Sequence, residues 1–173
     1  MFRKETFDRF GTPNRMLAAA AELKIDPRDL RLVAADEWRA ILNQVFDRFV
    51  NDYHKGLSWL WECLREDGAS FDSDCALEKI APAFDADRRV WLILEDRNYP
   101  RKKRGNYWVL DCTWGAGIAA LGEAIGVGEY YFVDRHFAWM LLETHHCNIV
   151  AVGEPAESFV RGLHMQAALD SVA

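Results

Sequence analysis

The feature of this sequence that most suggests chemistry is a glycine-bearing turn between two acidic residues. Asp111 ends an apolar run, Gly115 and Gly117 follow it closely, and Asp134 ends the next apolar run. Glycines allow a ligand to approach the backbone, and an acid after the following strand can accept hydrogen bonds from ribose hydroxyls. The spacing therefore predicts a nucleoside-binding unit. The alternative is a strand-to-helix turn whose glycines allow close packing or a positive φ.

The same stretch resembles motif I of the S-adenosylmethionine-dependent methyltransferases. The likeness is to the Asp-x-x-x-Gly-x-Gly form of the amino-methyltransferases, here Asp111, Gly115 and Gly117. It implies that these three residues line the cofactor and that Asp134 binds its ribose. Permuted members of that family also carry an Asp/Asn-Pro-Pro-aromatic catalytic element. The nearest counterpart here is Asn-Tyr-Pro at residues 98–100.

A second cluster, at residues 143–147, contains side chains of the types that bind zinc. On an extended strand, Glu143, His145 and Cys147 would share one face, and His146 would point the other way. A carboxylate, an imidazole and a thiolate are all zinc ligands. The alternative is a tight turn between two antiparallel strands, with both imidazoles hydrogen-bonded to the backbone.

A run of four cations, Arg-Lys-Lys-Arg at residues 101–104, lies between turn-forming residues. Pro100 precedes the run and Gly105 follows it, which predicts the solvated tip of a hairpin. The two strands of that hairpin would begin at Val90 and Tyr107. The alternative function of the run is binding of phosphate or of an acidic partner.

The composition limits the classes of function. The 173 residues are 50% hydrophobic and include seven Trp, so a folded core is expected and disorder is excluded. The formal net charge of −6 argues against a general nucleic-acid or anionic-membrane binder, since both need a positive surface. Four cysteines without a Cys-x-x-Cys pair, in a chain without a recognisable signal peptide, predict reduced thiols in a cytoplasmic protein.

Hydrophobic periodicity predicts an α+β fold in a single domain. Residues 1–84 read as mainly helical, and Trp38, Ile41, Leu42 and Val45 begin the clearest apolar stripe. Residues 88–153 read as a mainly antiparallel sheet of four or five strands with one crossover helix at 115–125. A C-terminal helix is expected at residues 154–170.

The segment from Arg135 to Cys147 decides between the interpretations. If it is a strand paired with Ile149–Val152, the sheet is a meander and the nucleoside interpretation is disfavoured, because parallel order needs a crossover helix there. If it is a helix, the methyltransferase interpretation gains support. The short apolar run Trp139–Leu142, followed by turn-like residues, favours the strand.

The second half also resembles an uncharacterised group of small bacterial cytoplasmic proteins. The shared pattern is Asn-Tyr-Pro, Tyr-Tyr-x-x-Asp ending at Asp134, a Trp-Leu-Leu-like strand, Glu-x-His-His and a final Val-Gly. The chain also resembles immunity proteins of bacterial toxin systems in its helices beside a short antiparallel sheet, its many Trp and its acidic composition. The leading prediction is a non-enzymatic, cofactor-free, cytoplasmic protein-binding domain. Its partner would be a protein with a basic surface, captured through electrostatics and aromatic side chains.

Overall fold

The computed structural model describes residues 11–34, 36–51, 60–74, 76–95 and 107–170. Within these ranges the chain forms five α-helices, two short 3₁₀ helices and seven β-strands. The helices are α1 Thr12–Glu22, α2 Trp38–Phe49, α3 Ala76–Ile80, α4 Trp114–Glu123 and α5 Ala156–Asp170. The strands are β1 Leu30–Leu32, β2 Ala69–Asp72, β3 Arg89–Glu95, β4 Tyr107–Thr113, β5 Tyr130–Asp134, β6 Met140–Glu143 and β7 Asn148–Val152.

The seven strands form one sheet in the order β1-β4-β3-β5-β6-β7-β2, and every neighbouring pair is antiparallel. Helix α4 carries the chain from β4 to β5, which lie on opposite sides of β3. The predicted crossover helix is therefore confirmed. The segment between Arg135 and Cys147 contains β6, paired with β7, so the preference for a strand is also confirmed.

The central strands are buried on both faces, and their alternating side chains supply two separate cores. Val90, Leu92 and Leu94 of β3 belong to one core, whereas Ile93 belongs to the other. The first core also receives side chains from α1, α3, α4 and α5, and the second receives the apolar stripe of α2. The described helices therefore cover the sheet from both sides.

Two features of the predicted fold need correction. The sheet has seven strands instead of four or five, and residues 1–84 contribute both of its edge strands, β1 and β2. These strands were missed because they have only three and four residues, too few for an alternating pattern to stand out. Both make their ladder hydrogen bonds with strands that come much later in the sequence.

Several other elements lie where the sequence predicted them. Helix α2 buries the expected stripe, and α5 begins directly after Pro155. Within residues 1–84, which read as mainly helical, Leu60–Cys63 forms a 3₁₀ helix. The hairpin tip at residues 101–104 lies outside the described residues. Within the described part of the chain, no helix is both long and apolar enough to cross a membrane.

Two glycines provide a matched test of the backbone constraints. Gly153, at the end of β7, has φ +82°, and a Cβ there would clash with the carbonyl oxygen of Ala138. Gly162, inside α5, has open space where a Cβ would lie, because no described heavy atom beyond its chain neighbours and its own helix backbone is within 4 Å. We expect Gly153→Ala to lower the free energy of unfolding by about 2 kcal/mol or more. We expect Gly162→Ala to raise it by about 0.5–1 kcal/mol. Urea unfolding of both variants measures this, and a shift of the same sign in both would contradict the assignment.

Candidate anion-binding site

The two acids of the predicted nucleoside unit project to opposite faces of the sheet. Asp134 and Cys112 both pair with Val90, so these two residues share a face. Asp111 precedes Cys112 in the same strand and therefore points to the other face. Since β3 separates β4 from β5, the structure does not bring Asp111 and Asp134 together in one site.

The glycines of the turn are in contact with protein. A Cβ on Gly117 would lie 2.8 Å from the Phe132 ring, and one on Gly115 would lie 3.0 Å from the Cβ of Ala86. The first N–H groups of α4 are also occupied. Those of Trp114 and Gly115 donate to the carbonyls of Arg88 and Ala86, at 2.7 and 2.9 Å. This geometry favours the packing interpretation of the turn.

The zinc-type cluster does not form an extended strand. Strand β6 ends at Glu143, and residues 144–147 make a turn in which Thr144 Oγ1 accepts hydrogen bonds from the N–H groups of His146 and Asn148. Glu143, His145 and Cys147 therefore do not share a strand face. In the described ranges, no three His, Cys, Asp or Glu side chains are grouped so that they could hold a metal ion.

His145 instead contacts an acid that the sequence analysis missed. Its Nδ1 lies 3.2 Å from Oε2 of Glu129, which is 2% exposed and also accepts a hydrogen bond from the Tyr131 hydroxyl. The Trp61 ring lies 6.0 Å from both His145 and His146. The turn interpretation predicted imidazole bonds to the backbone and did not predict this contact of His145 with a carboxylate. The only sign of this contact in the sequence is the two-residue spacing of Glu129 and Tyr131, which places both side chains on one face of an extended segment.

The strongest concentration of charge surrounds Asp111, where three arginines contact one carboxylate. Arg31 lies directly across from Asp111 in the ladder of β1 and β4, and its Nη2 is 2.7 Å from Oδ2. Oδ1 accepts a hydrogen bond from Arg135 Nη1 at 2.8 Å and another from Arg89. We call Asp111 with Arg31, Arg89 and Arg135 the arginine cluster.

The charge of the arginine cluster is unbalanced. Three guanidiniums face one carboxylate, so the net charge is +2. The side chain of Asp111 is 5% exposed, whereas those of Arg31, Arg89 and Arg135 are 52%, 37% and 33% exposed. The cations therefore form the accessible outer part of the cluster, and the anion lies beneath them.

The pKa of Arg135 reflects this crowding. Burial lowers it most, Asp111 acts in the opposite direction, and the positive charges of Arg89 and Arg31 lower it further. Arginine nevertheless keeps its proton at neutral pH because its ordinary pKa is so high. The cluster thus holds cations that a single carboxylate does not fully compensate.

Trp91 forms part of the floor of the site. The guanidinium carbon of Arg135 lies over the Trp91 ring, 3.4 Å from its centroid, a cation–π contact that restrains the position of the guanidinium. The indole Nε1 is buried and makes no hydrogen bond to the described protein atoms. Arg89 is oriented separately, by a hydrogen bond from its Nη1 to the carbonyl of Arg28 at 2.6 Å.

Cys112, next to Asp111, is not a reactive group. It lies on the opposite face of β4 in the apolar core, and burial raises the pKa of its thiol to about 12. Cys63, Cys112 and Cys147 are free thiols, and Cys75 lies outside the described residues. The chemistry available around Asp111 is therefore recognition of negative charge, not nucleophilic attack by this cysteine.

Comparison with known proteins identifies the family of the chain. The model of a family of unknown function, DUF6756, matches residues 14–163. The chain belongs to this family. Neither the search of curated proteins nor the search of solved structures found a match. The matched range includes every member of the arginine cluster.

Replacing the central carboxylate tests the electrostatics of the cluster. We expect Asp111→Asn to lower the free energy of unfolding by about 1–3 kcal/mol, because three cations would then lack their shared counter-charge. This range is below that of a fully buried pair because the arginines are partly solvated. Asp47→Asn, at an exposed position of α2, makes the same change in charge and serves as the control. Equal urea-unfolding midpoints for the two variants would show that the cluster contributes nothing to stability.

Asp134 provides a test by pH. Burial tends to raise its pKa, but hydrogen bonds from the His136 N–H, from Arg88 and from the Ala138 N–H outweigh burial and hold the pKa below its ordinary value of 3.8. A carboxyl whose pKa is lower in the folded than in the unfolded state stabilises the fold above its unfolded-state pKa. This stabilisation is lost as the pH falls through the folded-state pKa. We therefore expect Asp134→Asn to destabilise clearly at pH 6 and much less at pH 3. Urea unfolding at both pH values, with Asp47→Asn as control, measures the difference. A difference that does not change with pH would refute this role.

Proposed function

We propose that this protein is a non-enzymatic binding protein that recognises an anionic group, a phosphate or a carboxylate, at the arginine cluster. One observation is the basis of the proposal. Three partly exposed guanidiniums share a single buried carboxylate and retain a net charge of +2. Guanidiniums bind carboxylates and phosphates through planar, charge-assisted hydrogen bonds.

The donors of the cluster are largely unused. A guanidinium has five N–H groups. Arg31 and Arg135 each give one hydrogen bond to Asp111, and Arg89 bonds Asp111 and the carbonyl of Arg28. Most N–H groups of the three side chains therefore make no hydrogen bond to any described protein atom. They are available to an anion that approaches from solvent.

A purely structural role accounts less well for this arrangement. One arginine is enough to neutralise Asp111, whereas the second and third add mutual repulsion and a desolvation cost. Such a cost is typical of sites in which a ligand supplies the missing charge. The cation–π contact of Arg135 with Trp91 also holds one guanidinium in place before a ligand arrives, which reduces the conformational entropy lost on binding.

The proposal revises the partner expected from composition. The net charge of −6 suggested a partner with a basic surface, but the charge at this site is positive and favours an acidic group on the partner. Immunity-like capture of a basic protein remains a separate proposal, supported by the acidic chain as a whole. That role would place the contact away from the arginine cluster, so substitutions in the cluster would leave it intact.

Calorimetric titration with pyrophosphate and with citrate, in a low-chloride buffer, tests anion recognition by the purified protein. We expect at least one of these anions to bind, and Arg135→Gln and Arg31→Gln each to weaken binding by about tenfold or more, the value of one charge-assisted hydrogen bond. The fold should survive both changes because Asp111 keeps two arginines in each variant.

Arg48→Gln is the matched control for this titration. Arg48 is paired at the surface with Glu66 at 3.6 Å and is not part of the cluster, but its replacement removes the same charge. Affinity in this variant should be close to that of the wild type. Absence of binding by both anions, or equal losses in the Arg48 and Arg31 variants, would rule out the proposed site.

A further inference from the structure

We infer that the preferred ligand of the arginine cluster is the dianionic phosphate of a monoester, an inference that rests on the proposed function. The first argument is the match of charge. The cluster has a net charge of +2, and a phosphate monoester approaches a charge of −2 at neutral pH because its second pKa is about 6. A single carboxylate would neutralise only half of the excess.

The second argument is the number of acceptor oxygens. The guanidiniums come from three separate places in the fold: β1, the start of β3, and the residue directly after β5. Asp111 has only two oxygens for them, so Arg89 and Arg135 share Oδ1 while Arg31 takes Oδ2. A phosphate monoester has three terminal oxygens, which is one for each guanidinium. A second planar carboxylate would repeat the shortage that already exists.

The surroundings favour an isolated phosphate over a nucleic acid. Arg28, whose carbonyl accepts a hydrogen bond from Arg89, donates to both oxygens of Asp26, and Arg88 donates to Asp134. These pairs are locally neutral, so the described residues near the cluster do not extend it into a basic track along a phosphate backbone. Arg135 also occupies a face of Trp91 that a base would need for stacking.

The source of the phosphate can be a small phosphorylated molecule or a phosphorylated side chain of a protein. Both present the same group, with the same charge and the same three terminal oxygens. A phosphoserine on a flexible loop would reach the site in the same way as a soluble phosphate ester, because the guanidiniums are partly exposed. The titration therefore includes one probe for each source, a small phosphate ester and a phosphoserine peptide.

Titration of the full chain with four probes tests the inference. Glycerol 3-phosphate presents the monoester dianion, and dimethyl phosphate is a diester with one charge and two terminal oxygens. Succinate has the same total charge as the monoester but divides it between two carboxylates. The fourth probe is a short Gly- and Ser-rich peptide with one phosphoserine.

We expect glycerol 3-phosphate to bind about tenfold or more tightly than dimethyl phosphate or succinate, with the advantage lost in Arg31→Gln and retained in Arg48→Gln. Tighter binding of the phosphopeptide than of glycerol 3-phosphate would support a phosphorylated protein as the source, and similar affinity would support a small ester. Equal, Arg31-dependent affinity for the monoester, the diester and succinate would refute the monoester preference but leave anion recognition standing. Binding of none of the probes, or binding that does not depend on Arg31, would overturn both.

Discussion

The constraint on which this structure depends is the burial of its central strands on both faces. Strands β3, β4 and β5 are covered by helices from either side, so successive side chains enter two different apolar cores. A charged side chain in the middle of such a strand would lose its hydration without compensation. The charged side chains at this sheet are therefore paired or lie outside the strands. Asp111, inside β4, is paired with three arginines, and Glu129, directly before β5, contacts His145.

The arginine cluster illustrates how local charge can oppose net charge. The chain has an excess of acidic residues, yet β-sheet pairing gathers three arginines around a single buried Asp111. Charges separated by more than a Debye length, about 8 Å at physiological ionic strength, interact weakly. The anion-binding potential of a site is therefore set by its immediate neighbours, and the composition of the whole chain predicts the sign of a site poorly.

The glycine turn shows how packing can produce the pattern of a ligand site. A helix that lies close to a sheet requires small residues at the contact, and Gly117 allows α4 to approach Phe132. A cofactor-binding loop requires glycines for a related reason, the close approach of a second molecule to the backbone. The two cases differ in what lies opposite the missing Cβ. At Gly115 and Gly117 that neighbour is the protein itself.

Sequence alone determined the elements whose pattern is local. Helix α2 was predictable because its stripe repeats at helical spacing, and β3 through β7 because they are apolar runs bounded by turn residues. It did not determine β1 and β2, whose identity depends on pairing with distant strands. Asp111 could be singled out, but its partners could not, because Arg31, Arg89 and Arg135 are far apart in sequence and each resembles an ordinary surface arginine. Only the register of the sheet brings them together, since hydrogen bonding between strands sets which residues become neighbours across the chain.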